Sequence, residues 1–389
     1  MSYVGTRPTL DADSHLMELP GFLDPYIEAP MRERLRGREM AAAAPLLDHA
    51  TAQAERRRTD ADARAEAEER LLRDKGWAAM GSFDPAERSR VVDLLGVDGQ
   101  LVFATFAATM FLGRERDLLH AGSAAHNRAV AAFCADDPRL LPVAFVPLVD
   151  TGQAVALLEE AIALGCAAVH VPSTAAGDRS PTHPDLDPFW SLLEGSGLPF
   201  VLHVGGGGRL LDRAFHENGR PVTDHLGGGE NIRSKDFLAI SGSPSLFLGA
   251  MVLDGMFDRF AGLRGGVIEE GASWVVSWLH QLDFAQRAFR RTEAPLAELT
   301  RRPSEYVHGH LWFTPFPGEP VGWMVEQAGD DLFMFSTDYP HPEGGRDPLA
   351  KFEEAMPEVP EASRDRFYYG NMADLLGPSL VPARAAAGV

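Results

Sequence analysis

Short apolar runs that alternate with helix-like runs constrain this chain more than any other feature. The runs at 96–106, 140–148, 166–173, 198–208, 264–271, 307–316 and 331–344 read as strands with apolar centres, the fourth running into glycines and the last into a loop. That is the pattern of strands buried on both faces. The N-terminal RPTLDADSHL adds an eighth. Helix-like segments fall between many of them, at 127–140, 151–165, 186–197, 254–263 and 273–289. Parallel strands need crossover connections, and helices usually supply them. Eight such units over roughly 330 residues fit a (β/α)8 TIM barrel. The expectation is therefore an α/β fold, with residues 1–389 forming one barrel domain. A doubly wound open sheet is the alternative. Neither GxGxxG after the first strand nor GxxxxGK[ST] is present, so no nucleotide-binding motif supports it. The glycine runs at 205–208 and 227–229 lack that spacing and suit tight turns or close backbone approach.

The segment 41–79 breaks the pattern. It is rich in Ala, Arg, Asp and Glu with a weak apolar stripe, and reads as a charged helical insertion near the N-terminus, exposed or placed as a lid. The chain carries 36 Lys+Arg against 56 Asp+Glu, for a net charge of −20. Such a surface repels nucleic acid and anionic membranes. No apolar run approaches the ~18 residues of a membrane span, and the start has no signal-peptide pattern, so the expected location is the cytoplasm. The two cysteines, Cys134 and Cys166, sit in apolar surroundings and read as core residues.

The strand ends hold the chemistry. In a barrel of this kind functional residues sit at the C-terminal ends of strands. The first strand brings Asp11, Asp13 and His15, two apart and so expected on one face. The fifth ends in His203, the sixth in Glu269 and Glu270, the eighth in Asp338 followed by Tyr339, Pro340 and His341. A lone His or Asp at a strand end serves equally as a hydrogen-bonded wall residue or a helix cap. Four of them on suitable strands point instead to a divalent metal ion, Zn, Mn or Fe, held by Asp13, His15, His203 and Asp338. Asp11 is expected behind these ligands. Glu269, Glu270, His341 and His183 are the candidates for proton transfer and substrate contact. Phe106, Trp312 and Phe313 are candidate aromatic walls. His170 is undecided between the barrel interior and the outer helices. His308 and His310, at the wrong pole, are expected to bind no metal. His49, His120, His126, His216, His225 and His280 read as ordinary surface or helix residues.

The stretches LDADSHLME, DPFWSLLEGSGLPFVLHVGG, GMFDRFAGLRGGVIEEGASWVVSWLHQLD and FMFSTDYPHPEG together resemble the amidohydrolase-related branch of the metal-dependent hydrolase superfamily, which includes aminocarboxymuconate-semialdehyde and resorcylate decarboxylases. The resemblance implies metal ligands at His15, His203 and Asp338, with Asp13 where relatives place His or Glu. It also implies an acid/base at the end of the sixth strand, where relatives often have His and this chain has Glu269. The implied activity is a metal-dependent hydrolase or decarboxylase acting on a small carboxylate-bearing or amide substrate. Two other functions suit the same residues. One is a non-haem Fe/Mn two-metal oxygenase, an amino-acid hydroxylase-like enzyme. The other is a non-catalytic partner subunit. The expected assembly is a homo-oligomer or a pair with a related subunit.

Overall fold

Seven parallel strands form the sheet, in sequence order: β1 (Leu10–Leu16), β2 (Gly99–Ala104), β3 (Leu140–Phe145), β4 (Ala168–His170), β5 (Phe200–His203), β6 (Gly265–Ile268) and β7 (Leu311–Phe313). The computed structural model describes residues 2–35, 44–205, 211–220 and 233–382. The expected eighth strand is not a regular one, and its residues instead make isolated bridges to both edges of the sheet. Phe313 N donates to Leu332 O at 2.8 Å and Met334 N to Phe313 O at 2.9 Å on the β7 side. On the β1 side Ala12 N donates to Phe335 O at 3.0 Å, and His15 N to Tyr339 O at 2.7 Å.

Period-two alternation sorts the strand residues into two layers. Leu101, Phe103, Val201, Ile268, Trp312 and Met334 meet inside the curled sheet, where Met372, Leu375 and Leu376 join them. Phe200, Leu202, Val267, Phe313, Phe333 and Phe335 face outward into the layer shared with the helices. Close packing decides details here. At Gly265 a Cβ would lie 2.1 Å from the Phe200 ring, so only glycine lets β5 and β6 pair at this register.

Helices fall where the apolar stripe predicts them at Thr151–Ala163, Asp187–Ser196 and Ser273–Phe289. Three expectations are corrected. The 127–140 helix is the C-terminal part of a longer one, Arg116–Cys134. The helix expected over 254–263 is the single turn Met256–Arg259, preceded by Gly242–Leu253. Only the middle of 307–316 is strand, because the helix Pro303–Val307 runs up to it.

The stretch Ser234–Leu253 spans 20 residues and is apolar enough to cross a membrane by length and composition, which the sequence reading overlooked. Its Phe247, Leu248, Met251 and Val252 pack into the layer outside the sheet, while Phe237, Leu238 and Leu246 are exposed.

Residues 44–79 are helical at Ala44–Thr59 and Ala61–Glu69, but they are not merely an exposed charged face. Arg57 is buried and meets Glu87 with two hydrogen bonds of 2.8 and 2.9 Å. Trp77 is also buried and stacks on Phe106 at 5.0 Å.

Candidate metal centre

β1 does not alternate simply. Its pairing with β2 is irregular between Asp11 and Ser14, as at a β-bulge, which re-aims side chains. Asp11, Asp13 and His15 therefore do not share one face. Asp11 is fully buried and accepts from Thr337 N at 2.8 Å, Thr337 Oγ1 at 2.6 Å and Gln100 Nε2 at 2.7 Å. It ties β1 to the residue before Asp338. Burial outweighs these hydrogen bonds and pushes its carboxyl up to about 6.

Asp13 and His15 enter the group the sequence anticipates. His15 Nε2 lies 3.2 Å from Asp13 Oδ1, 3.7 Å from Glu269 Oε2 and 3.7 Å from Asp338 Oδ1. His203 Nε2 lies 3.5 Å from Asp13 Oδ1 and 3.4 Å from Glu269 Oε2. Two overlapping sets of donors result: Asp13, His15, His203 and Glu269, and His15, Glu269, Asp338 and His341. All are buried.

The protonation chemistry fits a cation. His203 Nδ1 sits 3.0 Å from Val204 O and can approach it only as N–H, which leaves Nε2 as the ring nitrogen turned to the group. His15 turns Nδ1 toward Thr105 Oγ1 at 3.4 Å and presents Nε2 to the group. Burial and the neighbouring His341 hold the His15 imidazole well below its usual range, so His15 is neutral and its approach to Asp13 is not an ion pair. Asp13 Oδ1, His15 Nε2 and His203 Nε2 are buried without hydrogen-bond partners. Buried polar atoms of this kind are costly unless something satisfies them. The residues present therefore fit a divalent metal ion.

Two of the carboxylates are aimed by strained backbone. Glu269 (φ 56°) and Asp338 (φ 51°) are the non-glycine residues with positive φ among the described residues. Such conformations cost of order 1–3 kcal/mol and persist only where the surroundings hold them. Glu269 N donates to Thr314 Oγ1 at 3.0 Å. Asp338 N donates to Asp13 O at 2.9 Å, and its carbonyl accepts from His341 N at 2.7 Å. Gly344 packs so closely that a Cβ would stand 2.0 Å from Thr337 O. Fully buried Arg88 braces the end of β1 from outside, donating to His15 O and to Gly81 O.

The other candidates lie as follows. His341 joins the second set, stacks on His15 at 3.8 Å between ring centroids, and meets Asp338 Oδ1 at 2.9 Å and Thr105 Oγ1 at 3.0 Å. Glu270 is buried, belongs to neither set, and its carboxyl is pushed well above the usual range by burial. His183 is partly exposed and accepts from Asp185 N at 3.2 Å, outside the group. Phe313 faces the outer helices and Trp312 lies in the inner apolar layer. Phe103 of the same inner layer comes nearest the donor rings, 4.3 Å from that of His203 and 5.8 Å from that of His15. His170 faces inward, 5.8 Å from His203 between ring centroids. His120 and His126 are helix residues, on Arg116–Cys134, and both are buried. His308 meets Asp331 at 2.9 Å and His310 meets Leu263 O at 2.8 Å, both away from the group. Both cysteines are buried, which pushes the Cys166 thiol up to about 12. His225 and residues 206–208 and 227–229 lie outside the described residues.

Sequence reasoning missed Lys75. Its Nζ is buried without a hydrogen-bond partner. Burial lowers the ammonium to about 8 against the opposing pull of Asp338 and Glu343. The adjacent Gly76 N donates to Pro340 O at 2.9 Å, which fixes Lys75 beside the Asp338 loop. A lone Lys in a charge-rich segment carries no signal of this. Glu18 was missed as well: buried, it accepts from the backbone N–H groups of Thr105, Phe106 and Ala107 at 2.7–3.2 Å.

No curated protein matches the chain. Among solved structures, an amidohydrolase of Mycobacterium avium subsp. paratuberculosis K-10 superposes with a TM-score of 0.73 at 18% identity, covering 96% of this chain and 100% of that one. 5-Carboxyvanillate decarboxylase of Sphingomonas paucimobilis gives 0.62 at 19% identity, covering 95% and 99%. Dihydroxybenzoic acid decarboxylase of Polaromonas sp. JS666, solved with manganese and 2-nitroresorcinol, gives 0.57 at 15% identity, covering 95% and 97%. At these identities the likeness speaks for the fold. The amidohydrolase family model matches residues 11–377, a span that runs from the first strand past the Asp338 loop, and the chain belongs to the amidohydrolase family.

Proposed function

We propose that this chain is a metal-dependent hydrolase or decarboxylase acting on a small carboxylate-bearing or amide substrate. The observation that carries the reading is the set of buried donor atoms, Asp13 Oδ1, His15 Nε2 and His203 Nε2, turned toward one another without hydrogen bonds. Asp13, His15, His203 and Asp338 would hold the ion. When bound, a divalent cation supplies Lewis-acid stabilisation of developing negative charge and can lower the pKa of water to about 7. Zn, Mn and Fe all suit this nitrogen and oxygen donor set. Manganese is the ion bound in the Polaromonas decarboxylase.

The chain's own groups divide the remaining work. Glu269 moves the proton, since its Oε2 reaches the donor group and Glu270 belongs to neither set. In a decarboxylation the C–CO2 bond breaks, its electron pair stays on the substrate carbon, and Glu269 delivers the proton to that carbon. In a hydrolysis the same carboxylate takes a proton from water. His341 holds Asp338 in place. Lys75 supplies a cation for a substrate carboxylate, because a buried ammonium lacks a partner until an anion arrives. Phe103 offers the ring face for a planar substrate. His183, on the 171–186 loop, is kept as a contact for the outer end of the substrate.

We also read the sheet as a closed (β/α)8 barrel, with 331–341 as its eighth stave and 44–79 as an insertion against its mouth. The hydrogen bonds from 331–341 to both β7 and β1 support this. A second functional reading, a two-metal Fe/Mn oxygenase, rests on the two overlapping donor sets that share His15 and Glu269.

The test is metal content per chain, followed by CO2 release from a panel of hydroxybenzoates. One Zn or Mn per chain with CO2 release supports the decarboxylase reading. Two Fe or Mn per chain with O2 consumption supports the oxygenase. Absence of metal from the purified protein and after incubation with Zn2+ or Mn2+ overturns both.

A further inference from the structure

A second cleft lies at the C-terminal ends of β2, β3 and β4, at the same pole of the sheet as the metal donors but lined by other residues. Its volume is about 370 Å³, within the range of small-ligand sites. Residues 112–119, 147–149 and 172–177 supply its walls, with Leu119, Pro147, Leu148 and Pro172 giving an apolar surface and Arg114 and Arg116 the charge. None of its lining residues belongs to the metal group.

The charge balance in the cleft is unusual for this chain. Acidic residues outnumber basic ones by 56 to 36, and Glu115 and Asp117 alternate with the two arginines. Yet both acids turn to Arg34, Asp117 at 2.5 Å and Glu115 at 3.7 Å. Among the described residues, neither Arg114 nor Arg116 has a carboxylate within 4.0 Å. Arg114 gives one N–H to Arg34 O at 3.0 Å, while its Nε is buried without a hydrogen-bond partner. Arg34 thus satisfies the neighbouring acids and leaves two guanidiniums uncompensated beside apolar walls.

We propose that this cleft binds an organic carboxylate with an apolar body, the carboxylate at Arg114 and Arg116 and the body against Leu119, Pro147 and Leu148. A planar guanidinium fork matches a carboxylate, and the apolar walls select against small hydrophilic anions. The binding is independent of the metal centre.

The experiment is calorimetric titration of 4-phenylbutyrate into the full-length, metal-loaded protein. Wild type is expected to bind saturably at one site. Arg114→Gln/Arg116→Gln should bind at least tenfold more weakly with metal per chain unchanged. Arg116→Gln alone, at an exposed position, keeps the test open if the double variant fails to fold, and should weaken binding severalfold. The neutral 4-phenylbutanol and inorganic phosphate should each bind at least tenfold more weakly than 4-phenylbutyrate. Protein stripped with EDTA should still bind it. The proposal is overturned if wild type shows no saturable binding at millimolar probe, if the arginine variants bind as wild type does, or if EDTA abolishes binding. That last result would place the probe on the metal instead. Metal content, measured separately, decides the hydrolase or decarboxylase reading on its own terms.

Discussion

At the scale of single residues, the metal centre depends on buried donor atoms that converge on one another. Asp338→Asn and His203→Ala are expected to lower metal affinity at least tenfold, read as metal per chain after dialysis against a weak chelator. Both should stay folded when stripped of metal, read as a single cooperative urea transition. Full metal occupancy in either variant would remove that residue from the ligand set. Lys75 separates binding of the ion from binding of the substrate. Lys75→Met should leave metal per chain unchanged and weaken a benzoate-type inhibitor by roughly tenfold, the size of one charge-assisted hydrogen bond. Unchanged inhibitor affinity would return Lys75 to a structural role.

At the scale of elements, the 331–344 segment is what aims Asp338. Gly344→Ala places a methyl group 2.0 Å from Thr337 O. The segment must move, and the expected cost is about 1–3 kcal/mol in chemical denaturation, with metal affinity falling in parallel. A variant with wild-type stability and metal content would show that the loop tolerates displacement. The opposite end of the same segment has a pH signature. The hydrogen bond from His308 to Asp331 raises the imidazole above its ordinary value. The folded pKa is the higher one, so the pair's contribution is complete below the unfolded value of about 6.5 and is lost as pH rises through the folded value. The pair is partly exposed, so the contribution is small. The urea midpoint of wild type should fall slightly more than that of His308→Gln across that window, and parallel profiles would remove the pair from the pH dependence.

At the scale of the whole molecule, an ion held by Asp13, His15, His203 and Asp338 would join β1, β5 and the 331–341 segment, which are far apart in sequence. A ligand bound only by the folded state stabilises it by about 2.7 kcal/mol at one hundred times its dissociation constant. EDTA should therefore lower the thermal midpoint of wild type and leave that of Asp338→Asn nearly unchanged. A drop of equal size in both would mean that the chelator acts elsewhere.

The sequence by itself determined the alternation of strands and helices, and with it the parallel α/β sheet and the pole at which chemistry collects. It determined these because burial imposes a period on each element, and that period is local. It also showed His15, His203 and Asp338, because a polar residue ending an apolar run stands out without neighbours. Tertiary structure alone decided the rest. The irregular pairing of β1 turned Asp11 away from Asp13, positive φ at Glu269 turned it inward and left Glu270 outside the donor sets, and chain folding buried Lys75 beside Asp338. Each outcome depends on which groups from distant segments compete for the same space and the same hydrogen bonds, and no local window of residues contains that competition.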